Sequence, residues 1–286
     1  MRMRACAVGL ILACLSGCWF SRSTNTSTWL DRFRPLGGIT GSDVVVLDHA
    51  LLETPIGDTY INQELWTGTD EQFLSPEVRT LLEENGLRLA LVHGRPPNQL
   101  QTMLGSERYN RNGRQRRLRT SDPTVLDIGS LRDQCAFDLK LDSSNRTEKL
   151  QSALCQLQLL PTFGRENKVH LQFTPQMQHH DADRMPTLSP TSSLPLHNHR
   201  VTDAYAALRF AVDMTPNEYL VIGARFDKPK SLGFQFFVQP TGDRPVQRLL
   251  VLRVARGGDG GTALDADKKD RPSESPSLAS QACLGR

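Results

Sequence analysis

The sequence predicts an α+β fold: a small N-terminal α+β unit, then an antiparallel β-rich domain, then a disordered C-terminal tail. Three observations carry this. A helix-periodic segment with a complete start signal lies in the first half, period-two alternation runs from about residue 124 to 256, and residues 257–286 show no periodicity. At 38% hydrophobic and 23% charged, the 286-residue chain has an ordinary globular composition. It is long enough for one large or two small domains with a proper core.

The chain opens with Arg2 and Arg4, followed by eleven apolar residues from Ala5 to Leu15. A membrane span needs roughly 20 apolar residues, so this run is a cleaved leader rather than a transmembrane helix. Leu15-Ser16-Gly17-Cys18 resembles the lipobox of bacterial lipoproteins: an aliphatic residue, two small residues, then a cysteine. The resemblance implies that residues 1–17 are a lipoprotein signal peptide. It also implies that Cys18 carries the lipid (diacylglycerol, then palmitate-type acylation) as first residue of the mature chain. Removing the leader leaves 269 residues and takes Arg2 and Arg4 with it, so the formal charge falls from +3 to +1. A nearly neutral exported chain is not a general nucleic-acid binder.

Residues 18–40, rich in Ser, Thr and Asn, read as a tether. Residues 41–106 read as the α+β unit. Asp43 to Leu47 is a β-branched run, and Gly57-Asp58 marks a hairpin turn before the stretch ending at Trp66. Ser75-Pro76-Glu77 supplies an N-cap, a proline at the first helical position and an acid in the first turn; Val78, Leu81 and Leu82 follow with helical spacing, and Gly86 stops the helix. Leu87 to Val92 is a strand, and Pro96-Pro97-Asn98 opens a second short helix. Residues 107–123 read as a basic linker, with six arginines between 107 and 121. Such a run is a solvated loop, a basic strand pair turning at Asn112-Gly113, or a patch for an anionic partner.

Residues 124–256 form the predicted β-rich domain. Cys135, Phe137, Leu139 and Leu141 share one face of a strand, as do Cys155, Leu157 and Leu159, then Val169, Leu171 and Phe173, then Leu208, Phe210, Val212 and Met214. Tyr219–Ile222, residues 234–238 (FQFFV) and residues 249–254 (LLVLRV) complete the set. If residues 142–148 form the connecting loop, Leu141 pairs with Lys149 and Cys135 falls opposite Cys155. Cys135 and Cys155 are therefore a candidate disulfide in an oxidising envelope, the alternative being buried free thiols that behave as small apolar residues.

His179 and His180, with Asp181, Asp183, His197 and His199 nearby, are the candidate metal ligands. Their spacing matches no usual zinc site, and the surrounding polar stretch reads as a loop. No nucleophile elbow, zinc-protease motif or phosphate-binding loop is present, so the chain is expected not to be an enzyme and to need no cofactor.

A wider resemblance lies in LQLLPTFGRENKVHLQFTPQM (157–177) followed by LRFAVDMTPNEYLVIGARFDKP (208–229). These segments resemble the secretin domain of outer-membrane channels, with Pro161, Val169, Leu171, Pro175, Leu220, Val221, Ile222 and Gly223 in the family's places. The leading expectation is a lipid-anchored cell-envelope protein, in the inner or outer membrane, with a non-enzymatic structural or assembly role. Its partners are then the membrane and either another envelope protein or a second copy of itself. A secretin-like subunit or accessory of a secretion or pilus system is the alternative. A metal-dependent envelope enzyme using the His-rich loop is the second alternative.

Overall fold

The computed structural model describes residues 43–110, 112–141, 144–166, 168–180, 200–239 and 245–256. The signal peptide, the tether, Cys18 and the tail lie outside the described residues. The described residues build two antiparallel six-stranded sheets. In the first, β2 (Leu87–His93), β10 (Glu218–Ala224), β12 (Val246–Arg256), β1 (Val44–Pro55) and β3 (Arg114–Arg119) lie in that order, with the short β11 (Val238–Gln239) also on β12. In the second, β4 (Thr124–Asp127), β6 (Ser144–Phe163), β7 (Val169–His180) and β8 (Arg200–Ala204) run in order, with β5 (Arg132–Leu141) on β6 and β9 (Phe210–Met214) on β7.

The expected α+β class is thereby corrected: the described residues are predominantly β, 56% strand against 19% helix. The cause is long-range pairing. β1 runs antiparallel to β12 from Val45 opposite Arg256 to Pro55 opposite Val246, and β2 pairs with β10 along its whole length. The early strands thus complete a sheet with the last strands of the chain.

Two local expectations also change. The hairpin at Gly57-Asp58 is absent, because Asp58 caps a helix instead: its carboxylate accepts the Ile61 N–H at 3.2 Å. A single turn of π-helix, Tyr60–Glu64, continues into Leu65–Thr67, together α1. Likewise, of 234–238 only Val238 is in a strand, β11; 234–237 are helical. The Ser231 hydroxyl accepts the Phe234 N–H at 3.2 Å and starts helix α4, Leu232–Phe237. The expected helices do form, as α2 (Pro76–Glu84), capped by Ser75, and α3 (Asn98–Gly105).

One face of the first sheet (Leu47, Leu91, Ile222, Leu252) packs against one face of the second (Leu157, Leu171, Phe173, Val212) in a single core. Phe173 and Phe210 stack there, centroids 5.0 Å apart. The opposite face of the first sheet is covered by α1 and α3, through Trp66, Leu65, Leu100 and Leu104 over Leu52, Val221 and Val251. Each fully buried Leu or Phe in these layers contributes roughly 1.5–3 kcal/mol. Asn85, fully buried at the end of α2, bonds like a strand residue: its amide donates to Lys140 O at 2.7 Å and accepts from Lys140 N at 2.9 Å.

Candidate interaction surface

The sequence-predicted site residues do not converge. Cys18, His197 and His199 lie outside the described residues. The register that would have opposed Cys135 and Cys155 is corrected: Leu141 pairs with Ser144, so Cys135 lies opposite Leu150, while Cys155 lies opposite Met177 on β7. The connection is far shorter than the loop expected for 142–148. A kink at Ser152, with φ of 51°, leaves the β5–β6 register unchanged (Arg132 opposite Ala153, Gln134 opposite Gln151) but switches the core-facing parity of β6 from Leu150 to Ala153 and Cys155. Both thiols are free and buried. They flank Gln235 of α4: Cys135 Sγ is 3.6 Å from its Oε1, and Cys155 Sγ donates to its backbone oxygen at 3.3 Å. Burial pushes the Cys135 thiol up to about 11, with Arg132 opposing, and raises Cys155 as well. Neutral thiols of this kind act as small apolar groups.

His179 and His180 are consecutive on β7 and therefore point to opposite faces. His179 Nε2 lies 2.9 Å from Asp203 Oδ2 and its Nδ1 lies 2.8 Å from His180 O. Both ring nitrogens lie at hydrogen-bonding distance from oxygens of the same sheet, so the side chain is engaged with its strand neighbours. Among the described residues no group of three His, Cys, Asp or Glu side chains is placed to hold a metal ion.

What sequence reasoning passed over is the other half of the alternating pattern. Along β6 and β7 the residues facing away from the core are Leu154, Gln156, Gln158, Leu160 and Thr162, opposite Gln178, Gln176, Thr174, Gln172 and His170. Gln156 donates to Asp127 at 2.9 Å and accepts from Gln176 at 3.3 Å, tying β4, β6 and β7 together across the surface. Thr174 and Gln176 are buried, and Val125 on β4, opposite Gln158, is 38% exposed. Formal charge sits only at the margins: Asp127 at the β4 side, Asp213 bonded to His170 at 2.8 Å at one end, and Arg200 at the other. The centre is thus amide, hydroxyl and aliphatic, ringed by charge. A usual solvated sheet face carries Lys and Glu throughout; depletion of charge at the centre with a charged rim is the composition of a protein interface. The signal was legible as Q-x-Q at 156–158 and Q-x-Q at 176–178.

At the edge of this sheet an open cleft of about 290 Å³ lies between the start of α2 and β9, lined by Phe73, Leu74, Val78, Arg209 and Phe210. The basic run, for its part, is not a linker but edge strand β3, paired with β1 from Val44 opposite Arg119 to His49 opposite Arg114.

No protein-family model matches the chain, and no curated protein sequence matches it. Among solved structures it is weakly similar to the secretin InvG of the Salmonella SPI-1 type III secretion injectisome. The InvG secretin-domain β-barrel is 12% identical over 79% of this chain, with a TM-score of 0.19. InvG in its open gate state is 11% identical with a TM-score of 0.21. The chain spans 64% of the first of these structures and 61% of the second. Superpositions this loose transfer nothing from those channels to the present chain. The secretin-like motif residues themselves divide between the two sheets. Pro161, Val169, Leu171 and Pro175 lie in the β6–β7 hairpin, with Pro161 opposite Leu171, whereas Leu220–Gly223 lie in β10.

Proposed function

We propose that this protein is a lipid-anchored, non-enzymatic assembly component of the cell envelope, held by Cys18 and docking a protein partner on the outer face of its second sheet. The charge-free centre of that face supports this reading. A surface of Gln, Thr and Leu held by its own cross-strand bonds loses little by being covered, because few of its groups need bulk water. The anchor follows from the lipobox, and an acylated terminus would keep the docking face in the envelope.

The test places a charge in the centre. Gln158→Glu with Gln172→Glu leaves the core face untouched, so the urea midpoint is expected to change little. Binding through this face is expected to weaken at least tenfold, since an uncompensated charge is buried on association. Retention of the native envelope complex by the double variant contradicts the reading. Mass spectrometry of the mature N-terminus tests the anchor separately: an unmodified terminus past residue 18 contradicts it.

The secretin-like alternative rests on the hairpin resemblance alone. Its expected outcome is a ring-shaped, detergent-resistant oligomer in electron micrographs of the extracted protein, and a monomer or simple dimer there contradicts it.

A further inference from the structure

We propose that β3 is a membrane-docking strand, whose arginines Arg114, Arg117 and Arg119 bind the anionic phospholipid headgroups of the bilayer holding the protein. The proposal takes its choice of surface from the lipid-anchor reading above. Four of the six residues of β3 are arginines, and only Leu118 is buried, fixing the strand to the core. β3 pairs with β1, and its other edge pairs with no strand among the described residues. Arg116 is half-buried and donates to Val125 O at 3.3 Å. Arg114, Arg117 and Arg119 are exposed, and no carboxylate among the described residues pairs with them. The neighbouring acids in sequence are Glu107 and Asp122, so six arginines against two acids leave the 107–122 run strongly positive.

Position identifies the partner. The chain from Cys18 enters the fold at Asp43, whose carbonyl accepts the Thr120 N–H at 2.9 Å, and the next residue, Val44, lies opposite Arg119. The arginine row therefore begins where the anchored segment joins the sheet. Twenty-five residues separate Cys18 from Asp43, and a coil of that length has an end-to-end distance of about 25–30 Å, so a bilayer at the anchor is held near this strand. Confinement raises the effective concentration of headgroups, and modest contacts then suffice. Each basic side chain near an anionic surface increases partitioning about fivefold, so three give about a hundredfold. The positive field is also felt at His49, opposite Arg114, whose pKa is held down to about 4 by burial, then by Arg116 and Arg114.

Charged residues also protect free sheet edges from pairing with other strands, and the experiment separates that role from docking. Full-length protein carrying Cys18→Ser, which cannot be acylated, is compared with the same chain carrying Arg114→Gln, Arg117→Gln and Arg119→Gln. Co-sedimentation is measured with vesicles of phosphatidylcholine and of phosphatidylcholine with an equal part of phosphatidylglycerol. The leader contributes equally to both proteins. The parent is expected to partition about a hundredfold more strongly than the triple variant on anionic vesicles, and equally on neutral ones. The difference should shrink with added salt, and the corresponding triple Lys variant should retain binding. Equal binding of parent and triple Gln variant to anionic vesicles overturns the proposal, and self-association of the variant with that result assigns the arginines to edge protection. Binding of soluble poly(glycerol phosphate) without vesicle binding also overturns it. Because the proteins are unacylated, none of these results depends on whether Cys18 carries lipid in the cell.

Discussion

Replacing Gly233 by alanine places a methyl group where two backbone segments cross. Its Cβ would lie 2.2 Å from Gly86 O, 2.4 Å from Gly86 C and 2.8 Å from Leu87 N. All three are main-chain atoms, so no side chain can swing aside. Reaching an ordinary contact requires the segments to separate by about 0.8 Å, from 2.2 to 3.0 Å. Those segments are joined by Gly233 N–H to Asn85 O and by Arg225 N–H to Gly86 O, both at 2.9 Å. Loss of two buried backbone bonds costs about 1–3 kcal/mol each when the groups stay dry. Overpacking adds about 1–3 kcal/mol. A total of about 3–9 kcal/mol is expected, a large share of the roughly 5–15 kcal/mol available to a domain. Equilibrium urea unfolding, followed by the fluorescence change as buried Trp66 becomes exposed, should show the midpoint falling by about 1–3 M. Gly68→Ala is the control: nothing lies within 4 Å of its Cβ position, and a change within about 1 kcal/mol is expected. A Gly233→Ala protein as stable as the Gly68→Ala protein would refute the crossing as described.

Other outcomes follow from the same geometry. Cys135 and Cys155 are expected to resist alkylation in the folded protein at pH 8 and to react fully after unfolding without reductant; reactivity that appears only after reduction would mean a disulfide. Two histidines should bend the pH dependence of stability in opposite directions. His93 is held by Glu218 at 2.8 Å and Asp70 at 3.6 Å, and its hydrogen bond to the Glu218 carboxylate leads the rise in its pKa. Its stabilising contribution is present below the unfolded value near 6.5 and is lost as pH rises through the folded value. His49, lowered to about 4 chiefly by burial, acts the other way, with stability falling as pH drops from about 6.5 toward 4. Urea midpoints measured across this range should lose their upper slope in His93→Gln and their lower slope in His49→Gln. Unchanged slopes would contradict these assignments.

Local chemistry made much of the fold legible. Ser75-Pro76-Glu77 starts α2 as its residues demand, and the alternating apolar positions of β5, β6, β7 and β9 do face the core. What local patterns could not carry was pairing across nearly 200 residues. Nothing near Leu51 announces that it will lie opposite Leu250. That pairing turned an apparent N-terminal unit into part of a shared sheet. The β6 kink was hidden for a related reason: Ser152 is an ordinary residue in a strand, and its positive φ reverses the parity on which the disulfide expectation stood. For the candidate surface, attention to the apolar half of each alternation left its glutamine half unread.

Site-specific photo-crosslinking in living cells tests the docking face most directly. A benzophenone side chain at position 158, in the centre of that face, is expected to give a single discrete adduct. The same group at position 149, where Lys149 is exposed in the β5–β6 hairpin, is expected to give none. Adducts of equal yield at both positions, or none at 158, would contradict the assignment of this sheet face as the interface.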